Sequence, residues 1–175
     1  MIEEELKSVI RDIPDFPKPG IVFKDITPIF KHPELCTRII DAFCERLERT
    51  PIDVIAGIES RGFLFGLLLA NRLQVPFVPI RKLGKLPYKT VQQSYNLEYG
   101  SETIEMHEDA IEQGQQVLIH DDLLATGGTV EAASKLIQAQ GGILTGYTFL
   151  INLSFLKGSD RVASFSDNLI SLVDF

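Results

Sequence analysis

Cysteine is scarce: Cys36 and Cys44 are the only two in the chain, and tryptophan is absent. Both cysteines fall in one stretch of helical periodicity, where the helical rise between them is about 12 Å, too far for a disulfide. They are expected to be reduced, core-facing thiols. Positive charge is also in deficit, with 17 Lys+Arg against 24 Asp+Glu and a net charge of −7. No overall field draws the protein to a nucleic-acid backbone or an anionic membrane, so only a local basic patch can bind anions. Long apolar runs are missing as well. The longest, Gly62–Ala70, is about half of the roughly 20 residues a bilayer requires, so no membrane span is expected. The start, Met1-Ile-Glu-Glu-Glu, is acidic where a secretory signal is basic and then apolar, and the expected compartment is the cytoplasm. Internal repeats, low-complexity tracts and linkers are not found.

What remains is the composition of an ordinary globular protein, 45% hydrophobic and 23% charged over 175 residues, which fits one domain spanning 1–175. Ile2, Leu6, Val9, Ile10 and Ile13 recur at helical spacing as far as Pro14, and a Pro-rich connector runs to Gly20. A second helical pattern opens at Pro33 and carries Leu35, Ile39, Ile40, Phe43 and Leu47 on one side, with Pro51 as its limit. Short apolar runs then alternate with helical stretches. The runs are 53–57, 76–80, 116–121 and 147–151, and the helices are 63–73 and 129–140. Strand–helix alternation with runs this apolar predicts an α/β fold, a parallel sheet covered on both faces. Residues 81–116 interrupt the alternation with a polar loop and two period-2 stretches, Tyr95–Tyr99 and Thr103–His107, which read as a hairpin or edge pair.

The most informative segment is Val117-Leu-Ile-His-Asp-Asp-Leu-Leu-Ala-Thr-Gly-Gly-Thr129. An apolar strand ends in two carboxylates, and a turn of small residues leads into a helix. Ligands of open α/β sheets bind beyond the carboxyl ends of strands. The turn Ala125, Thr126, Gly127, Gly128, Thr129 has no bulky side chain, so unpaired backbone N–H groups and two hydroxyls can converge on a phosphate. It is neither a Walker loop nor a dinucleotide turn. The carboxylates Asp121 and Asp122 would repel an anion unless sugar hydroxyls or a divalent cation came between, which points to a phosphorylated sugar.

Two further segments carry charge suited to anions. Arg81-Lys-Leu-Gly-Lys-Leu-Pro87, with Lys89 beyond, gathers four cations and no acid. Gly84 and Pro87 suggest a mobile loop that could shield a reacting pyrophosphate from water. Gly57-Ile-Glu-Ser-Arg-Gly-Phe63 is another strand-to-helix turn, with Ser60 and Arg61 at a helix N-terminus suited to a second anion. Glu59 and Arg61 could instead pair with each other.

The acidic pair and its Thr/Gly-rich turn closely resemble the phosphoribosyl pyrophosphate signature of the type I phosphoribosyltransferases. His120 departs from it, occupying a usually aliphatic position, and reads as a core residue. Together with Pro19–Pro28 and Tyr95–Gly100, these segments are similar to the adenine-specific members of that family, in order from residue 14 to Gly158. The resemblance implies a parallel sheet flanked by helices, a small hood from 14–32 and 152–175, and a mobile basic loop and hairpin at about 81–107. It implies a purine-salvage transferase that makes AMP and pyrophosphate from adenine and phosphoribosyl pyrophosphate, with Mg²⁺ required and a homodimer as the usual assembly. Mg²⁺ would be carried by substrate and water near Asp121 and Asp122, with no direct protein ligand.

The resemblance also assigns roles. Phe23 stacks on adenine, Leu153 covers the other side, and the backbone of Val22 and Lys24 reads the amino edge. Lys24 replaces the Arg most familiar at its position. Residues 125–129 hold the 5-phosphate and Asp121 and Asp122 the ribose. Ser60, Arg61, Arg81, Lys82 and Lys85 take the pyrophosphate, and Glu98, Arg61 and Lys85 form the catalytic set, with Glu98 at purine N7 and Tyr99 beside it. By spacing alone Glu98 would be an exposed strand charge. Three rivals stand: a transferase for a 6-oxo base, a non-catalytic regulator that binds nucleic acid, and an inactive homologue serving as an assembly partner.

Overall fold

The computed structural model describes residues 1–97 and 100–175. Residues 54–58 are buried at every position, because they form the central strand β3 (Val54–Ile58) of a sheet covered on both sides. Val54, Ala56 and Ile58 pack on one face, and Ile55 between them packs on the other. That two-sided burial explains why the run reads as continuously apolar. On either side of β3 run β4 (Phe77–Lys82) and β7 (Gln116–Leu124), both parallel to it. The full order is β5-β6-β4-β3-β7-β8-β9, with β5 Thr90–Asn96, β6 Ser101–His107, β8 Ile143–Asn152 and β9 Leu169–Asp174. β5 and β6 form an antiparallel hairpin against β4, and the other pairings in this sheet are parallel. The chain steps from β3 outward to β4, then returns to the other flank of β3 with β7. The carboxyl ends of β3 and β7 therefore open a crevice at the point where the winding reverses, the usual ligand position in open α/β sheets.

Helices α1 (Ile2–Val9), α2 (Pro33–Leu47) and α3 (Gly62–Leu73) supply Leu6, Phe43, Phe65 and Leu69 to one core cluster. The other face is covered by α4 (Gly128–Ala139), through Val130, Ala133, Leu136 and Ile137. The predicted apolar side of α2 is buried at all five positions named from sequence. Cys36 and Cys44 on it are free and only partly buried. A separate antiparallel pair, β1 (Arg11–Pro14) and β2 (Val22–Asp25), with Ile13 opposite Phe23, occupies the N-terminal segment expected to form the hood. No helix among the described residues is long and apolar enough to cross a membrane.

Three boundaries depart from the sequence reading. The first helix stops at Val9, and Ile13 lies in β1; strand pairing with β2 overrides a helical periodicity that is weak so close to Pro14. β7 continues through the acidic pair to Leu124, so Asp121 and Asp122 lie inside the strand and not at its end. The C-terminal segment assigned to the hood, 152–175, ends in the main sheet, where β9 pairs with β8. Between them lie a short 3-10 turn, Ser154–Leu156, and the short helix α5 (Gly158–Val162).

Candidate active site

At the carboxyl end of β7 the strand's alternation turns Asp122 inward, 4% exposed, while the Asp121 carboxylate accepts the Asp122 N–H at 2.8 Å. The start of α3 comes close beneath them. A Cβ on Gly62 would lie 2.9 Å from Asp121 Oδ1, so only glycine lets the helix approach the acids. From the adjoining turn Arg61 sends Nε to Asp122 Oδ2 at 2.8 Å. Glu59 and Arg61 therefore do not pair with each other. Burial raises the pKa of both aspartates, and the neighbouring Asp122 charge raises that of Asp121 further, against the opposing pull of Arg61. Two carboxylates kept reluctant to ionise are suited to holding hydroxyl groups or sharing a cation.

His120, next to them, is fully buried. Its Nδ1 lies 3.0 Å from Thr148 Oγ1, its ring meets Phe43 edge-on, and burial lowers its pKa to about 3. It is a neutral core residue, as read from the sequence, although its Nε2 has no hydrogen-bond partner.

Beyond Leu124 the chain turns through Ala125, Thr126 and Gly127 into α4. Gly127 caps the helix at φ +80, a left-handed conformation that favours glycine. The first N–H groups of α4 are left without helical acceptors, and together with the macrodipole they are suited to receive an anion. Gly128 is buried and Thr126 exposed. The Thr129 hydroxyl donates to Tyr95 Oη at 3.0 Å, and that phenol donates to Glu102 at 2.9 Å.

The opposite wall comes from β4 and the hairpin. Arg81 holds Glu59 by two hydrogen bonds, 3.2 and 3.0 Å, and the Lys82 N–H adds a third at 2.9 Å. Burial pushes the Glu59 carboxyl up, but these donors outweigh it and keep its pKa below the ordinary value. Lys82 Nζ reaches Glu102 at 3.4 Å, and Lys89 reaches Glu108 at 3.8 Å. The Lys85 and Leu86 N–H groups and the Thr90 hydroxyl all converge on the buried carboxylate of Glu105. Lys85 thus joins this network through its backbone, and its carbonyl accepts from Arg81. The segment read as cations without acids meets its carboxylates from elsewhere: Glu59, Glu102 and Glu108 pair with Arg81, Lys82 and Lys89, and Glu105 holds the loop backbone. Sequence reasoning missed Tyr95, Glu102 and Glu105 as parts of this wall. The period-2 pattern of the hairpin was the only signal for Glu102 and Glu105, while Tyr95 also opened the Tyr95–Gly100 segment of the resemblance.

Asp121 joins the two walls. A cavity of about 200 Å³ is lined by Asp121 and Thr129 on one side and by Glu59, Arg81, Lys82, Tyr95 and Glu102 on the other. A second, of about 420 Å³, is lined by Glu59, Ser60, Arg61, Asp121, Asp122 and Leu123. The hood contributes Phe23, whose ring lies 4.9 Å from the Arg61 guanidinium and meets Phe16 edge-on at 5.2 Å. Val22 is half exposed. The Lys24 side chain is tied to Asp12 at 2.7 Å and lies over the Phe175 ring. Leu153 is fixed by its N–H to the Leu124 carbonyl at 2.9 Å and packs on the core cluster of α1–α3. Glu98 and Tyr99 lie outside the described residues.

Comparison with known proteins identifies the family. Residues 25–149 match the phosphoribosyl transferase domain family. An adenine phosphoribosyltransferase of Cytophaga hutchinsonii is 53% identical over all of this chain and 97% of its own length. The crystal structure of adenine phosphoribosyltransferase from Thermoanaerobacter pseudethanolicus is 50% identical, covers both chains fully and superposes with a TM-score of 0.94. The Saccharomyces cerevisiae enzyme, solved with adenine and an imino-altritol bisphosphate, is 42% identical over 98% of both chains, with a TM-score of 0.90.

Proposed function

The chain belongs to the adenine phosphoribosyltransferases of the phosphoribosyl transferase domain family, and we propose that the crevice between β3, β7 and the hairpin carries out the family reaction. The reaction is purine salvage: the 5-phosphoribosyl group passes from phosphoribosyl pyrophosphate to N9 of adenine, giving AMP and pyrophosphate. The observation that carries the site assignment is the cavity shared by Asp121 and Thr129 with Arg81 and Lys82. It joins Thr129 of the proposed phosphate turn and Asp121 of the proposed ribose-binding pair to a cationic wall.

Departure of pyrophosphate leaves positive charge at ribose C1, so the protein must neutralise the leaving group while it holds the base behind that carbon. Arg61, Arg81, Lys82 and Lys85, with Ser60, face the first task. To reach a pyrophosphate, Arg81 and Lys82 exchange Glu59 and Glu102 for the ligand. The turn 125–129 anchors the 5-phosphate, and Asp121 and Asp122 hold the ribose diol, whose hydroxyls relieve the repulsion between them. Phe23, Leu153 and the backbone of Val22 and Lys24 take the adenine. Glu98, when ionised, accepts the N7 proton and raises electron density at N9.

Among the described residues no cluster of three or more His, Cys, Asp or Glu could cage a metal ion. Two adjacent carboxylates, with Asp122 Oδ2 already held by Arg61 at 2.8 Å, suit Mg²⁺ that arrives on substrate phosphates and keeps its waters rather than binding the protein directly. Bound there, Mg²⁺ would neutralise charge on the pyrophosphate. A homodimer is the assembly we infer, supported by the exposed Leu64, Leu67 and Leu68 of α3. Free Cys36 and Cys44 fit the reducing cytoplasm.

AMP formation from adenine, hypoxanthine, guanine and xanthine, each with phosphoribosyl pyrophosphate and Mg²⁺, tests the reading. Adenine should be preferred by about 10³ or more, since a site matched to a 6-amino group leaves polar groups unpaired against a 6-oxo base. Comparable turnover of hypoxanthine would overturn it.

A further inference from the structure

The phosphate turn poses an electrostatic problem that its own sequence does not solve. From Gln116 to Val130 there is no Lys or Arg, while Asp121 and Asp122 stand close by. A dianionic 5-phosphate on this turn would face two carboxylates with backbone dipoles and hydroxyls as its only local support. The structure brings a cation to the turn from a distant segment.

Helix α5 docks against the turn backbone to backbone. A Cβ on Gly158 would collide with the Ala125 carbonyl, and a Cβ on Gly127 would lie 2.8 Å from the Gly158 carbonyl. Two glycines in contact thus let α5 sit closer to the turn than any side chain would allow. Val162, fully buried, fixes the far end of α5 in the core. One residue before it, Arg161 lies along the start of α4. Its Nε hydrogen-bonds Glu131, and its Nη1 comes within 3.4 Å of the point where a Gly128 Cβ would stand. Glu131 also holds Lys135 at 2.7 Å, and hydrogen bonds from Lys135 and Arg161 keep its carboxyl below the ordinary range. The pairing at Nε orients the fork so that its Nη1 edge faces the turn. Gly128 leaves that approach open, with the Tyr95 ring next nearest at 3.6 Å.

We propose that Arg161 is a ligand of the 5-phosphate, delivered by α5 and oriented by Glu131, and that it supplies the positive charge the turn lacks. This inference rests on the assignment of residues 125–129 to the 5-phosphate. Arginine suits the task because its guanidinium is always charged and can serve a carboxylate and a phosphate from different nitrogens at once.

The test compares AMP with adenosine, which differ only by the phosphate, by calorimetric titration of the full chain and its variants. Arg161→Gln should weaken AMP by about 10-fold, the size of a charge-assisted hydrogen bond at a partly open site, and leave adenosine unchanged. Arg161→Lys should recover part of the loss. Glu131→Gln keeps the cation and loosens its aim, so it should cost AMP less than Arg161→Gln does. Equal AMP losses for Arg161→Gln and Glu131→Gln, with equal falls in melting temperature, would mean that Arg161 acts only by pinning α5, and would overturn the proposal. Unchanged AMP affinity in Arg161→Gln would also overturn it. If the wild-type protein does not prefer AMP to adenosine, the phosphate assignment of the turn itself fails, an outcome separate from either.

Discussion

The two walls of the crevice are built in opposite ways. The β7–α4 wall is continuous in sequence: Asp121, Asp122 and the turn 125–129 follow one another, and their geometry is set by one strand, one left-handed glycine and one helix start. The basic wall is assembled from separate places in the chain, with Arg81 held by Glu59, Lys82 by Glu102 and the loop backbone by Glu105. A continuous wall presents preorganised dipoles that need not rearrange when a ligand binds. A wall of ion pairs must trade protein partners for ligand, so its side chains are restrained until a stronger anion arrives.

The largest effect should come from the continuous wall. Gly127→Ala places a side chain at φ +80 and 2.8 Å from the Gly158 carbonyl, so folding stability should fall by about 1–3 kcal/mol or more and AMP binding should be lost with it. Gly128→Ala meets only ordinary contacts with Arg161 and Tyr95. Its melting temperature should stay near wild type while AMP binding still weakens. Thermal melts paired with AMP titration separate the two; equal destabilisation by both would show that the turn is ordinary packing.

Asp121→Asn should divide stability from function. Its carboxyl has a raised folded pKa, so ionisation costs stability at pH above the unfolded value, and the cost disappears as pH falls below that value. The asparagine variant should therefore be more stable than wild type at pH 7, with the gap closing toward pH 3. Its activity should fall. A variant less stable at pH 7 would contradict the burial argument.

An effect confined to acid pH is expected at His120, where the folded pKa is lowered to about 3. Between that value and the unfolded value near 6.5 the unfolded chain takes up a proton that the fold refuses, so stability falls as pH falls through this window. The slope from this group is at most about 1.4 kcal/mol per pH unit. Urea titrations from pH 7 to 4 should show this slope in the wild type and lose it in His120→Leu. An unchanged slope would mean the imidazole is protonated in the folded state.

How much of this was legible in the sequence follows the same division. The acid pair, the small-residue turn and the helix after it could be read because strand period, glycine chemistry and helix capping are local properties. β7 nevertheless ran three residues past its predicted end, since pairing of Leu123 and Leu124 with β8 extends the ladder beyond the acids. The basic segment was read as acid-free because Glu59, Glu102 and Glu105 lie some twenty residues from the groups they hold, and sequence carries no local mark of such partners. Ile13 and β9 show the same limit, where pairing across the chain overrode or supplied what periodicity could not. Arg161 stood in no motif. Only the docking of α5 brings it to the turn.

The division of labour between the walls is tested most directly by titrating AMP and Mg²⁺-pyrophosphate separately into wild type, Gly128→Ala and Lys82→Ala. The account predicts a crossed result: Gly128→Ala weakens AMP and keeps pyrophosphate, and Lys82→Ala weakens pyrophosphate about 10-fold while AMP stays within a few-fold. Parallel losses of both ligands in both variants would contradict it.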